Sequence, residues 1–161
     1  MECRHRHHPN LRPGRKTHLF FRRPYPGRST INYSFYAGRG YLIFNPDVPC
    51  RIGYPGESCL NAVLSGVTSL IDKGFVDRER IGVQGHSRGS YQVTYLLTKN
   101  DIFRCAESGA PVVNMFSAYG GIRWGSGLGR MFQYERTQSR IGGTIWEYPL
   151  RYLENSPLFF L

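Results

Sequence analysis

Arg80-Ile81-Gly82-Val83-Gln84-Gly85-His86-Ser87-Arg88-Gly89-Ser90-Tyr91-Gln92-Val93-Thr94-Tyr95-Leu96-Leu97 is the stretch whose reading decides the fold. Arg80 to Gln84 reads as a strand. Residues 89 to about 98, with Tyr91, Tyr95 and the Leu96-Leu97 pair on spaced positions, read as a helix. Between them Gly85-His86-Ser87-Arg88-Gly89 fits the pattern G-x-S-x-G. As a bare five-residue pattern it would also describe a glycine-rich connection with an incidental serine, and the flanking strand and helix are what give it weight. A strand that turns this sharply into a helix strains the backbone of the residue at the corner, and glycines two positions to either side keep the crossing free of Cβ clashes. Ser87 is then presented at a helix N-terminus, where the Arg88 N–H and the helix dipole stabilise an oxyanion. The phosphate-loop patterns G-x-x-x-x-G-K-[ST] and G-x-G-x-x-G are both absent.

Working outward, Tyr41-Leu42-Ile43-Phe44 is a continuous apolar run ending in Asn45-Pro46-Asp47, as a buried parallel strand would. Leu60, Val63, Leu64, Val67, Leu70 and Ile71 share one face of a helix, opened by Ser58 and closed by Lys73-Gly74. A third strand is expected over 103–107. Strand, helix, strand, helix, strand at these spacings predicts right-handed crossovers and a mostly parallel sheet with helices on both faces, an α/β fold. Beyond Pro111 the chain turns aromatic and glycine-rich, consistent with loops and short helices over the strand ends. No internal repeat is present.

The 161 residues, 40% hydrophobic, suit one domain with a real core, yet a doubly wound hydrolase domain usually takes roughly 200 to 250 residues. Charge is uneven. Residues 1–39 hold nine Lys/Arg and one acid, Glu2, while residues 40–161 hold twelve Lys/Arg and ten acids. The basic character belongs to an arm over 1–27, rich in Pro, Gly and His, that is expected to be disordered and dispensable for folding, with residues 28–161 forming the domain. His5, His7 and His8 in that arm read as a solvated tail rather than metal ligands, and no metal or cofactor is expected. Cys3, Cys50, Cys59 and Cys105 lie far apart without a C-x-x-C pair and read as isolated thiols. No window approaches eighteen apolar residues and no signal-peptide core is seen, so the compartment stays open.

A serine nucleophile needs a histidine base held by a carboxylate, in this fold following the serine in the order Ser, Asp or Glu, His. No histidine follows Ser87. His86 adjoins it, but neighbouring side chains on so tight a turn diverge. Asp101, Glu107, Glu135, Glu147 and Glu154 are candidate acids with no histidine to orient, so none is assigned. Pro157-Leu158-Phe159-Phe160-Leu161 is an apolar, uncapped terminus and reads as a cut within a core, the missing chemistry lying past Leu161. An incomplete sheet exposes apolar surface, so self-association is expected.

The segments Gly40–Asp47, Tyr54-Pro55-Gly56-Glu57, Asp72-Lys73-Gly74 and Gly85-His86-Ser87 resemble the catalytic domain of the prolyl oligopeptidase (S9) family. So do Gly109–Val112, Ala118–Trp124 and Glu154-Asn155-Ser156-Pro157, for a span of residues 28 to 161. The resemblance implies a serine peptidase acting on short peptides through an acyl-enzyme on Ser87, normally behind a β-propeller that this chain lacks. It also implies a second oxyanion donor from a tyrosine upstream, which residues 1–27 do not display, and Tyr25 is not nominated for it. Val112 resembles a position lining the family's S1 pocket, a core valine being the equal alternative. Arg88 stands where relatives carry an aromatic residue, so its charge bears on what docks above the serine, and Ser90 stands where they carry glycine. Lacking its histidine, the chain is expected to be an inactive piece of such a peptidase. An esterase or lipase of the same fold, a non-catalytic remnant, and a nucleic-acid binder using the basic arm are the competing readings.

Overall fold

A computed structural model describes Cys3–Arg4 and residues 32–74 and 76–161. In chain order the elements are β1 (Cys3–Arg4), α1 (Tyr33–Ala37), β2 (Val48–Pro49), α2 (Pro55–Asp72), β3 (Gly82–His86), α3 (Arg88–Leu97) and β4 (Cys105–Gly109). They continue with α4 (Met115–Tyr119), β5 (Ile122–Arg123), β6 (Leu128–Gly129), α5 (Met131–Glu135) and α6 (Pro149–Glu154). Short 3₁₀ turns cover Arg78–Arg80 and Pro157–Phe159.

The strand, helix, strand unit centred on Ser87 forms as its residues dictate. β3 and β4 pair in parallel over five residues, Gly82 opposite Cys105 through His86 opposite Gly109, with α3 crossing between them. β3 starts two residues later than the apolar pattern suggests, because Asp77 caps the 3₁₀ turn through the Glu79 N–H at 2.9 Å. β4 is also displaced, to Cys105–Gly109, since Ile102 and Phe103 pack against the core instead of pairing. α2 opens at Pro55, not Ser58, because proline needs no amide partner in a first turn. It closes at Lys73, with Gly74 at φ +79.

One expected strand does not form. Residues 41–44 have no ladder partner among the described residues, and Tyr41, Leu42 and Phe44 are exposed. The Phe44 ring instead rests on Gly66 of α2, where a Cβ would meet it.

α3 is buried on nearly every side because it separates two cores. Val93 and Leu96 join Val48, Cys59, Val63, Val67 and Val83 in an aliphatic core shared with α2 and β3. Tyr91 and Tyr95 join Met115, Tyr119, Tyr134, Ile141 and Tyr152 in an aromatic one, where the Tyr119 and Tyr152 rings meet edge to face at 5.5 Å. The uncovered face of β3 and β4 is polar, carrying Gln84, His86 and Glu107, and exposed apolar side chains are spread over residues 35–44, the β5–β6 hairpin, α5, residues 146–153 and the last four residues. No helix among the described residues is long and apolar enough to cross a membrane.

β1 falls inside the stretch expected as an arm and pairs in parallel with β2, Cys3 opposite Val48. The rest of 1–27, with its expected disorder, lies outside the described residues. Cys50, next to β2, is disulfide-bonded, which corrects the reading of four isolated thiols: spacing along a chain does not reveal which cysteines meet in space. Cys59 and Cys105 are free. Burial pushes the Cys59 thiol up to about 12, and only a thiolate reacts readily. A thiol reagent at neutral pH should therefore modify exposed Cys105 at once and Cys59 only on unfolding, measured by peptide mass mapping. Early labelling of Cys59 would contradict its burial.

Candidate active site

Ser87 stands at the corner between β3 and α3 with φ 55 and ψ −111, a left-handed region that a non-glycine residue occupies only under constraint. The constraint is visible. A Cβ on Gly85 would collide with the Gly89 carbonyl and come within 2.8 Å of the Ser90 nitrogen, so strand and helix cross at backbone distance. The Ser87 N–H donates to the Gly109 carbonyl at 2.8 Å, and its own carbonyl accepts from Tyr91 at 3.0 Å. Its side chain is exposed and makes no capping bond to the helix.

The adjoining strand end is strained as well. Ala110, next after β4, has φ 53. Beneath it, Ser90 and Ser108 share a hydrogen bond at 2.6 Å that ties the first turn of α3 to β4. This pair gives the buried Ser90 hydroxyl a partner, and eighteen residues of separation hid it from sequence reading.

The side chain of Arg88 points away from the serine. Its Nη2 donates to the Cys50 Sγ at 3.6 Å, so the guanidinium faces β2 and α2. The expectation that its charge bears on what docks above Ser87 is not supported by this orientation. Arg88 does open α3, which puts its N–H in the first turn, where the helix dipole is concentrated. Val112 is half-buried and packs against the aromatic core.

His86 alternates to the open face of the sheet, opposite to buried Val83 and Gly85, with its Nδ1 close to Gly109. Of the carboxylates, Glu135 accepts the Tyr119 hydroxyl at 2.7 Å; burial, and after it this bond, pushes that phenol up to about 12. Glu147 accepts the Thr144 N–H at 2.8 Å, and that bond holds its carboxyl below the usual value. Glu107 sits on the open sheet face, and Asp101 and Glu154 are exposed. Among the described residues no three His, Cys, Asp or Glu side chains gather to hold a metal ion.

The model of the prolyl oligopeptidase family of peptidases, S9, matches residues 52–137, more than half of the chain and the segment that contains the elbow. The chain belongs to the prolyl oligopeptidase family. Solved structures agree on an α/β-hydrolase fold. A puromycin hydrolase is 24% identical, with a TM-score of 0.57 over 68% of this chain and 15% of its own. A Mycobacterium tuberculosis puromycin-hydrolyzing peptidase is 21% identical, with 0.56 over 65% and 15%. The Pyrococcus horikoshii acylaminoacyl peptidase is 24% identical, with 0.57 over 68% and 17%. This prolyl oligopeptidase family member thus spans about one sixth of the length of the chains it matches.

A residue that sequence reading quoted within an S9 segment but gave no role joins those segments. Asn155, 3% exposed, accepts from the Gly56 N–H at 3.0 Å and the Tyr91 hydroxyl at 2.9 Å. It donates to the Gly53 carbonyl at 3.3 Å and the Arg151 carbonyl at 2.9 Å. It joins the start of α2, the middle of α3 and the end of α6. Sequence separations of 64 to 102 residues left no local signal of this role.

Proposed function

We propose that Ser87 is the nucleophile of a serine peptidase-type hydrolase acting on peptides. The observation that carries the reading is the φ 55 conformation of Ser87 at a turn where Gly85 crosses Gly89. In this mechanism Ser87 Oγ attacks the amide carbonyl carbon and gives its proton to a histidine base. The Arg88 N–H stabilises the oxyanion, the C–N bond breaks as the leaving amine takes the proton, and water then hydrolyses the ester. Val112 is a proposed pocket residue.

The base is absent from the sequence after Ser87, and His86 lies on the opposite side of β3 from the packed crossing. The isolated chain should therefore turn over peptide amides near background, in line with the steep losses that follow removal of one member of a triad. A fluorophosphonate should still label Ser87 slowly and stoichiometrically, faster as pH rises and hydroxide replaces the missing base. Ser87→Ala should abolish labelling, whereas His86→Ala should leave the rate within about twofold. Mass mapping that finds no adduct on Ser87 would favour a non-catalytic relative. A tenfold loss in His86→Ala would make that imidazole the base.

A further inference from the structure

Lys99 is a cation that no anion neutralises among the described residues. Its ammonium rests over the Phe160 ring at 4.4 Å and stands 5.7 Å from the centre of the Tyr95 ring. The aromatic faces hold it in place but leave its charge without a counterion. Glu154, at the end of α6, is the complementary case: an exposed carboxylate that accepts no hydrogen bond and forms no ion pair among the described residues.

Both groups line one cavity of about 290 Å³, which Tyr54, Glu57, Tyr95 and Phe160 also border, together with buried Asn155. The two opposite charges share this space yet stand too far apart to pair directly. Burial, and after it the charges of Glu57 and Glu154, raises the Tyr95 phenol, so both carboxylates bear on the same wall. Glu57 is engaged by Arg51 at 2.8 Å, which leaves Glu154 as the open anion. An uncompensated ammonium, an uncompensated carboxylate and three aromatic rings around one space form a set that a small zwitterion with an aromatic body completes. The volume lies at the lower end for ligand sites, which suits a single amino acid better than a peptide.

We propose that this cavity binds a free amino acid with an aromatic side chain, its carboxylate on Lys99, its ammonium on Glu154 and its ring against Tyr54, Tyr95 and Phe160. The site is separate from the serine. Tyr95 follows Ser87 along α3, roughly 12 Å farther on the helix axis at about 1.5 Å per residue. The inference therefore stands whether or not Ser87 is a nucleophile.

Equilibrium dialysis of the full 161-residue chain against L-phenylalanine tests it. Three analogues run beside it: phenethylamine lacks the carboxylate, 3-phenylpropionate lacks the ammonium and L-alanine lacks the ring. Phenylalanine should bind saturably, and each analogue at least roughly tenfold more weakly. Lys99→Gln and Glu154→Gln should each weaken phenylalanine about fivefold. Both side chains are exposed, so folding, checked by circular dichroism, should be unchanged. Lys99→Gln should also erase the preference over phenethylamine, and Glu154→Gln that over 3-phenylpropionate, an exchange that a merely structural role does not produce. No saturable binding, equal binding of phenylalanine and any one analogue, or undiminished binding by either variant would overturn the inference.

Discussion

Gly85→Ala should cost the chain much of its stability and abolish labelling of Ser87. The added Cβ has nowhere to go: it meets the carbonyl of Gly89 and the nitrogen of Ser90, all main-chain atoms that cannot rotate aside. Overpacking a tight site costs about 1–3 kcal/mol and at times more, and here relief requires β3 and α3 to move apart, so about 3 kcal/mol is expected. Moving them apart also releases Ser87 from the φ 55 conformation that the crossing imposes, which couples stability to reactivity. Gly125→Ala is the control, because nothing lies within 4 Å of its Cβ position, and it should change stability by less than about 0.5 kcal/mol. Urea denaturation of the two variants measures the difference. A Gly85→Ala chain as stable as its parent, with Ser87 still reactive, would show that the crossing is looser than described.

Asn155→Ala should be the most damaging change remote from the serine. It removes four hydrogen bonds at once, and it leaves the Gly56 N–H and the fully buried Tyr91 hydroxyl without acceptors in a site closed to water. Each orphaned buried group costs about 1–3 kcal/mol, so a total of about 3–5 kcal/mol is expected, or a fall in Tm on the order of 10 °C for a chain of this size. Burial raises the Tyr91 phenol well above its usual value, so ionisation offers it no escape from the lost acceptor. Gly56 also packs against the Tyr95 ring, so disorder there spreads into both cores. Thermal denaturation followed by circular dichroism should show it, and a loss below about 1 kcal/mol would mean that water replaces the carboxamide.

Several features of the fold were legible along the chain because they depend on local causes. The G-x-S-x-G pattern between a strand and a helix led to the strained Ser87, since only glycine permits so close a crossing two residues away on either side. The 3.6-residue period of Val63 and Val67, closed by Gly74, led to α2, with an error of three residues at its start where Pro55 took the first position. The expected strand over 41–44 was lost for the opposite reason. An apolar run becomes a strand only if another strand lies beside it, and the ring of Phe44 found Gly66 instead.

What the sequence by itself determined is the parallel β3–α3–β4 unit, the strained serine at its corner and the family whose pattern they carry, because the unit is set by contacts within about twenty residues. What only the tertiary structure decided are the pairings that bring distant residues together: Ser90 on Ser108, Asn155 on Gly56 and Tyr91, and Arg88 turned toward Cys50. Hydrogen bonds and burial act through space and carry no periodic trace in one dimension. Residues 64 or 99 positions apart therefore become partners only when the two cores have closed around α3.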